Sequence, residues 1–195
     1  MKTDIILSGV GGQGILSIAM VIAEAALESN LYMKQSEVHG MSQRGGDVQS
    51  NLRISDKPIA SDLIPLQEAD IILSLEPMEA LRYQPFLSNN GWIVSNSVPI
   101  NNISEYPEEE KIVEEIAKIK NHIVLNVDEI AKEVGSIRTS NIVLLGAAIP
   151  FLGISAEKIE NGIQNIFGKK GQEIIDLNIK ALRAGKKVTE NIINK

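Results

Sequence analysis

The run from Ile5 to Ala23 carries no formally charged residue and is interrupted by GVGGQG. An uncharged run that follows Lys2 first suggests a signal peptide or a membrane span. Glycines placed in its middle weaken a spanning helix, each costing about 1 kcal/mol relative to alanine. The piece before them, Ile5 to Val10, has the length and β-branched content of a buried strand. The piece after them, Gln13 to Ser29, is apolar over most of its surface, as a helix packed on a sheet and nearly covered by other elements should be. The sequence therefore predicts strand, tight turn and helix, with Ile5 to Val10 the central strand, no membrane segment and a cytoplasmic chain.

The rest of the chain repeats this alternation. LYMKQSEV and DVQSNLRI alternate weakly and flank the loop EVHGMSQRGGDVQ, so they are expected as two edge strands, antiparallel to each other. Ile71 to Leu75 reads as a short buried strand. Pro77 then stands at a first-turn position of a helix running through Ala80, Leu81 and Phe86. The turn NNG precedes a strand at Trp92 to Asn96, and SVPINNISEYP is a polar surface connection. Glu108 to Lys120 places Ile112, Val113, Ile116 and Ile119 on one face, with acidic residues at its start. HIVLNV is the last strand, and Asp128 is expected to cap a short helix that Gly135 ends. Three helices follow, Asn141 to Leu152, Ser155 to Phe167 and Gln172 to Ala184, each expected to stop at the next glycine, Gly153, Gly168 or Gly185.

The predicted fold class is α/β: a three-layer α/β/α sandwich, Rossmann-like, with a mostly parallel sheet, an antiparallel edge and a helical C-terminal third. The 195 residues suit one core rather than two, and no linker divides residues 1–195. With 4% aromatic residues that core must be built from Ile, Leu, Val and Ala. A formal charge of −6 without a dense cationic stretch argues against nucleic acid as a partner. Zero cysteines exclude disulfides, a cysteine nucleophile and cysteine-ligated iron–sulfur clusters within the chain, and two histidines argue against a metal site.

Two loops carry the chemistry. Gly9, Gly11 and Gly14 match G-x-G-x-x-G after a predicted strand and before a predicted helix, where backbone N–H groups and the helix start can hold a phosphate. Close strand-to-helix packing explains the same glycines equally well. The dinucleotide fingerprint also expects an acid at the end of the second strand; Glu37 stands near that spacing, but in a polar segment poorly suited to the role. In the second loop, Arg44 with Gly45 and Gly46 suits a phosphate or carboxylate, and His39, Ser42 and Gln43 add hydrogen-bonding groups. A loop pinned by its own hydrogen bonds accounts for the same residues. No orienting third group accompanies His39 and Ser42, so a nucleophile pair is not expected. Arg138 and Asn141 fall at a helix start where Ser140 is expected to cap and Arg138 can face an anion.

Taken together, GVGGQGI, SEVHGMSQRGG, SLEPMEALRY and NIVLLGA resemble the 2-oxoacid:ferredoxin oxidoreductase gamma domain, from about Asp4 to the C-terminal helices. More narrowly they look like its indolepyruvate ferredoxin oxidoreductase beta-subunit branch. The resemblance implies a single gamma-type domain over residues 1–195, acting as one subunit of a heteromer and inactive alone. The complex it implies decarboxylates a 2-oxoacid, indolepyruvate or another arylpyruvate, on thiamine diphosphate, reduces ferredoxin and makes an acyl-coenzyme A. Thiamine diphosphate and [4Fe-4S] clusters are then expected in a larger alpha subunit, with coenzyme A as co-substrate and no cofactor held by this chain alone. By the same resemblance Gly11, Gly12, Gln13 and Gly14, and His39, Gly40, Ser42, Gln43, Arg44, Gly45 and Gly46, face the partner's cofactor cleft in binding rather than proton-transfer roles. Ser42 stands where many relatives carry Ala. The competing expectation is a stand-alone dinucleotide-binding protein, using NAD or FAD at the GVGGQG loop.

Overall fold

The computed structural model describes residues 1–40, 45–101, 103 and 105–194. Among the described residues six strands form one sheet in the order β2-β3-β1-β4-β5-β6: β1 Lys2–Val10, β2 Tyr32–His39, β3 Asp47–Ser55, β4 Ala69–Ser74, β5 Leu87–Asn96 and β6 His122–Leu125. β1, β4, β5 and β6 run parallel, whereas β3 pairs antiparallel with both β1 and β2. The expected central strand and antiparallel edge pair are both present. The helices are α1 Ile15–Glu28, α2 Pro77–Arg82, α3 Glu109–Ala117, α4 Val127–Val134, α5 Ser140–Leu152, α6 Ala156–Phe167 and α7 Gln172–Ile193.

Alternation along β1 divides the core into two layers. Ile5 and Leu7 face a layer built with Ile18 and Ile22 of α1 and Ile142 and Leu145 of α5. Ile6 faces a smaller layer with Ile72, Ile93, Ala80 of α2 and Ile116 of α3. This is the predicted α/β/α sandwich. No helix among the described residues is long and apolar enough to cross a membrane.

Several local expectations are corrected. Asn89, Asn90 and Gly91 lie inside β5 rather than in a turn before it, at an irregularity where pairing passes from Ala69↔Leu87 to Ile71↔Trp92. A Cβ at Gly91 would sit 2.7 Å from the Ala69 carbonyl oxygen, so close backbone approach explains that glycine. α2 stops at Arg82, and Phe86 falls in a separate turn, Gln84–Phe86, because Pro85 has no N–H to continue the helix. Asn126, not Asp128, caps α4, its side chain accepting from Glu129 N at 3.0 Å. α6 does end at Phe167, as expected, but Gly168 is right-handed and starts a short 3₁₀ turn. Gly185 does not end its helix at all: α7 runs through it to Ile193. There the missing side chain serves packing. Cβ atoms built on Gly185 and Gly146 would lie 1.9 Å from Val143 O and 2.0 Å from Leu182 O, so α5 and α7 cross with their backbones in contact.

Candidate functional site

The parallel strands end on one side of the sheet, where the first β–α turn opens a crevice. Gly12, Gln13 and Gly14 form part of the wall of a cavity of about 640 Å³ there, with Asn96 from β5 and Arg138 and Asn141 from the start of α5. Gly14 is the residue before α1 and adopts φ 86°, ψ 29°, a left-handed conformation that glycine reaches without strain. Among the described residues no side chain caps α1, and no acidic residue stands in its first turn, so the positive end of its dipole is directed toward the cavity. Gly12 has φ 103°, and among the described residues no atom comes within 4 Å of a built Cβ.

Gln13 points inward and holds the loop together. Its Oε1 accepts from Val10 N and its Nε2 donates to Leu75 O, both at 2.8 Å, joining the ends of β1 and β4. The Gln13 side chain is thus engaged within the chain. Gln13→Leu leaves the Val10 N–H without its acceptor, worth roughly 1 to 3 kcal/mol when buried, while Leu75 O keeps the 3.4 Å bond from Asn96 Nδ2. The expected result is a loss of about 1–3 kcal/mol on denaturant unfolding; an unchanged midpoint would remove the clamp.

The second loop meets the first through the backbone. Gly11 N donates to Gly46 O at 2.9 Å and Gly45 N to Gly11 O at 3.4 Å, while Gly40 N donates to Asp47 O at 2.8 Å. Gly11, Gly12, Gln13, Gly14, Gly45 and Gly46 therefore form one continuous surface. His39 lies at the tip of β2 with its Nε2 2.6 Å from Glu37 Oε1, its side chain 61% exposed and outside the cavity. Ser42, Gln43 and Arg44 lie outside the described residues. Glu37 is separated from β1 by the whole of β3, roughly two strand spacings or about 10 Å. In the dinucleotide fingerprint the acid sits on the strand beside β1, so this topology removes the support Glu37 would give it.

Arg138 and Asn141 gain a setting the sequence left open. Ser136, rather than Ser140, caps the turn Ile137–Thr139, accepting from Arg138 N at 3.3 Å. The Ser140 hydroxyl instead lies 2.6 Å from Asp128 Oδ1. Asn141 Nδ2 donates to Gly14 O at 3.2 Å, fastening α5 to the glycine loop. Arg138 is exposed on the cavity wall and enters no ion pair among the described residues. Lys170 reaches the same cavity, its Nζ 5.1 Å from the centroid of the Phe167 ring. Two cations and an uncapped helix start thus converge on one hollow, an arrangement suited to a phosphorylated ligand.

Sequence inspection did not mark Lys170, Asp128 or Asn96 as residues of the cavity. Asn96 is 3% exposed and bridges Leu75 O at 3.4 Å, Val98 O at 3.2 Å and Val127 N at 3.2 Å. SLEPMEALRY supplies a polar cluster under the second loop: the Tyr83 hydroxyl lies 3.5 Å from Asp47 Oδ2 and Arg82 Nε donates to Glu79 Oε2 at 2.7 Å. Burial, with the Asp47 and Glu79 carboxylates nearby, pushes the Tyr83 hydroxyl up to about 12. Burial also raises the Glu79 carboxyl above its ordinary value, against the opposing pull of Arg82. Among the described residues no group of three or more His, Cys, Asp or Glu is placed to hold a metal ion.

Residues 4–188 match the sequence profile described as Pyruvate ferredoxin/flavodoxin oxidoreductase. A protein of Archaeoglobus fulgidus named Indolepyruvate oxidoreductase subunit IorB is 37% identical over 194 residues, covering 95% of this chain and 94% of its own. The gamma subunit of keto/oxoacid ferredoxin oxidoreductase from Geobacter sulfurreducens superimposes with a TM-score of 0.71 at 25% identity, covering 97% of this chain and 99% of that one. The 2-oxoglutarate:ferredoxin oxidoreductase of Magnetococcus marinus, solved with 2-oxoglutarate, coenzyme A and succinyl-CoA bound, shares the fold with a TM-score of 0.77 at 22% identity. That match covers 97% of this chain but 31% of the larger one, so the present chain spans about a third of that relative's length.

Proposed function

This chain belongs to the pyruvate ferredoxin/flavodoxin oxidoreductase family, and from that premise we propose that it is the small subunit of a heteromeric 2-oxoacid:ferredoxin oxidoreductase acting on indolepyruvate or a related arylpyruvate. Residues 1–195 act as one gamma-type domain, in the cytoplasm, and are inactive without a larger alpha subunit. Thiamine diphosphate in that partner supplies the decarboxylation chemistry, and the partner's [4Fe-4S] clusters lead to ferredoxin. A chain with no cysteine has no thiolate for such clusters.

The observation that carries this proposal is the convergence of Arg138, Lys170 and the uncapped start of α1 on a cavity of about 640 Å³. Coenzyme A fits its chemistry, because its phosphates call for forked cationic and backbone N–H donors in one place. The chain's task is then to hold the coenzyme A nucleotide end, orient its thiol arm toward the partner and exclude water from the joint cleft. The second loop, from His39 to Gly46, faces the partner along the shared glycine surface.

Reconstitution with the partner subunit tests this. The pair should reduce ferredoxin in the presence of an arylpyruvate and coenzyme A, and the small chain alone should not. Arg138→Gln should raise the KM for coenzyme A roughly 10- to 100-fold with kcat largely retained, the loss of one charge-assisted contact. An unchanged KM would take Arg138 out of the site, and full activity of the isolated chain would end the subunit proposal.

A further inference from the structure

Glu76, at the junction of β4 and α2, is 1% exposed and lies outside the cavity. Its Oε2 caps α2 by accepting from Glu79 N at 2.9 Å. Its Oε1 faces away from the helix and accepts the Ile100 N–H at 3.4 Å and the Tyr106 hydroxyl. Capping alone accounts only for the first of these bonds. The other two reach the connection after β5, in which Val98, Pro99 and Ile100 form a wall of the cavity. A second hollow of about 440 Å³ is lined by Pro99, Ile103 and Tyr106 among others. Pro99 borders both hollows, so the wall is a partition at that residue. Asn96 tethers one end through Val98 O, and Glu76 tethers the other.

We propose that Glu76 and Tyr106 form a clasp that fixes this partition and so sets the width of the cavity, making both positioning residues for coenzyme A, which neither touches. The proposal rests on the coenzyme A site inferred above. A buried carboxylate is a strong acceptor for a hydroxyl donor, and one oxygen serving two groups of the same connection couples their positions. Burial and the adjacent Glu76 carboxylate hold the Tyr106 hydroxyl far above the ordinary tyrosine range, so it stays a donor at working pH.

Tyr106→Phe keeps the ring and deletes only the donor; Glu76→Gln keeps the shape and deletes the charge. Hydrogen exchange on the full chain reads the partition directly, and steady-state kinetics on the reconstituted complex read its consequence. In both variants amide exchange at Ile100 should accelerate, and the KM for coenzyme A should rise roughly tenfold while kcat is retained. Exchange at Ile100 unchanged in both variants would overturn the clasp, and so would faster exchange with an unchanged KM. If instead the wild-type complex proved indifferent to coenzyme A, the functional proposal would fall, and exchange at Ile100 would still decide whether the clasp exists.

Discussion

Gly185→Val should lower the melting temperature by about 6–12 °C, the equivalent of roughly 3 kcal/mol in a domain of this size. Helix propensity argues for the opposite sign, since replacing a mid-helix glycine commonly stabilises by up to about 1 kcal/mol. Geometry decides between them. A Cβ at position 185 would stand 1.9 Å from Val143 O and 2.8 Å from Val143 C, and backbone atoms cannot turn aside as the end of a flexible side chain can. α5 and α7 would have to separate, and Ile142, Val143 and Leu182 would lose their packing with them. Gly146→Ala meets Leu182 O at 2.0 Å on the same crossing, so the two substitutions should be less than additive. Calorimetry on the single and double variants measures this. A raised melting temperature for Gly185→Ala would show that the helices do not touch as described.

The second large effect is expected at the opposite end of the sheet. Asp4 is 0% exposed and binds Arg53 through two parallel bonds, Nε to Oδ1 at 2.8 Å and Nη2 to Oδ2 at 2.9 Å. Arg53 also donates to the carbonyls of Ser61 and Leu63, at 3.1 and 2.9 Å, so the pair anchors the connection between β3 and β4. Asp4→Ala leaves a guanidinium that is 15% exposed without its counter-ion, a loss of about 3–5 kcal/mol. Replacing both partners by apolar residues, Asp4→Leu with Arg53→Met, should restore most of that stability, because the penalty comes from the uncompensated charge. Chemical denaturation of the three variants distinguishes this from lost packing, which the double variant would not repair. The KM for coenzyme A in the reconstituted complex should not move, since the cavity lies at the far ends of the same strands.

The succession of strands and helices along the chain was legible because strand length, β-branching and glycine spacing are local properties. The antiparallel edge followed from the alternation of LYMKQSEV and DVQSNLRI. What local pattern could not supply was the partner of each glycine. Gly153 and Gly185 both follow apolar helical stretches, yet one takes φ 70° and ends α5 while the other sits against a second helix. Only the crossing, which joins residues far apart in sequence, separates the two cases. The site divided in the same way. The glycine loop was visible as a motif, and the structure joins it by backbone hydrogen bonds to Gly45 and Gly46. Lys170 stands in the short connection between α6 and α7 and Asp128 in the first turn of α4, and nothing nearby marks them as cavity residues until these elements are packed together. Gln13 carried the motif's signal, and its amide also joins the ends of β1 and β4.

The position of β1 in the sheet also bears on the chain while it is being made. β1 is synthesised before its neighbours β3 and β4, so neither flank can close until Ser55 and then Ser74 have been added. At ~5–20 residues per second, the apolar segment from Ile5 onward waits on the order of 3–13 s for its second partner. The β2–β3 hairpin closes by local contacts and brings β1 the first strand with which it pairs. Substitutions that weaken the hairpin should therefore lower the yield of folded protein more than they lower the stability of the protein once folded.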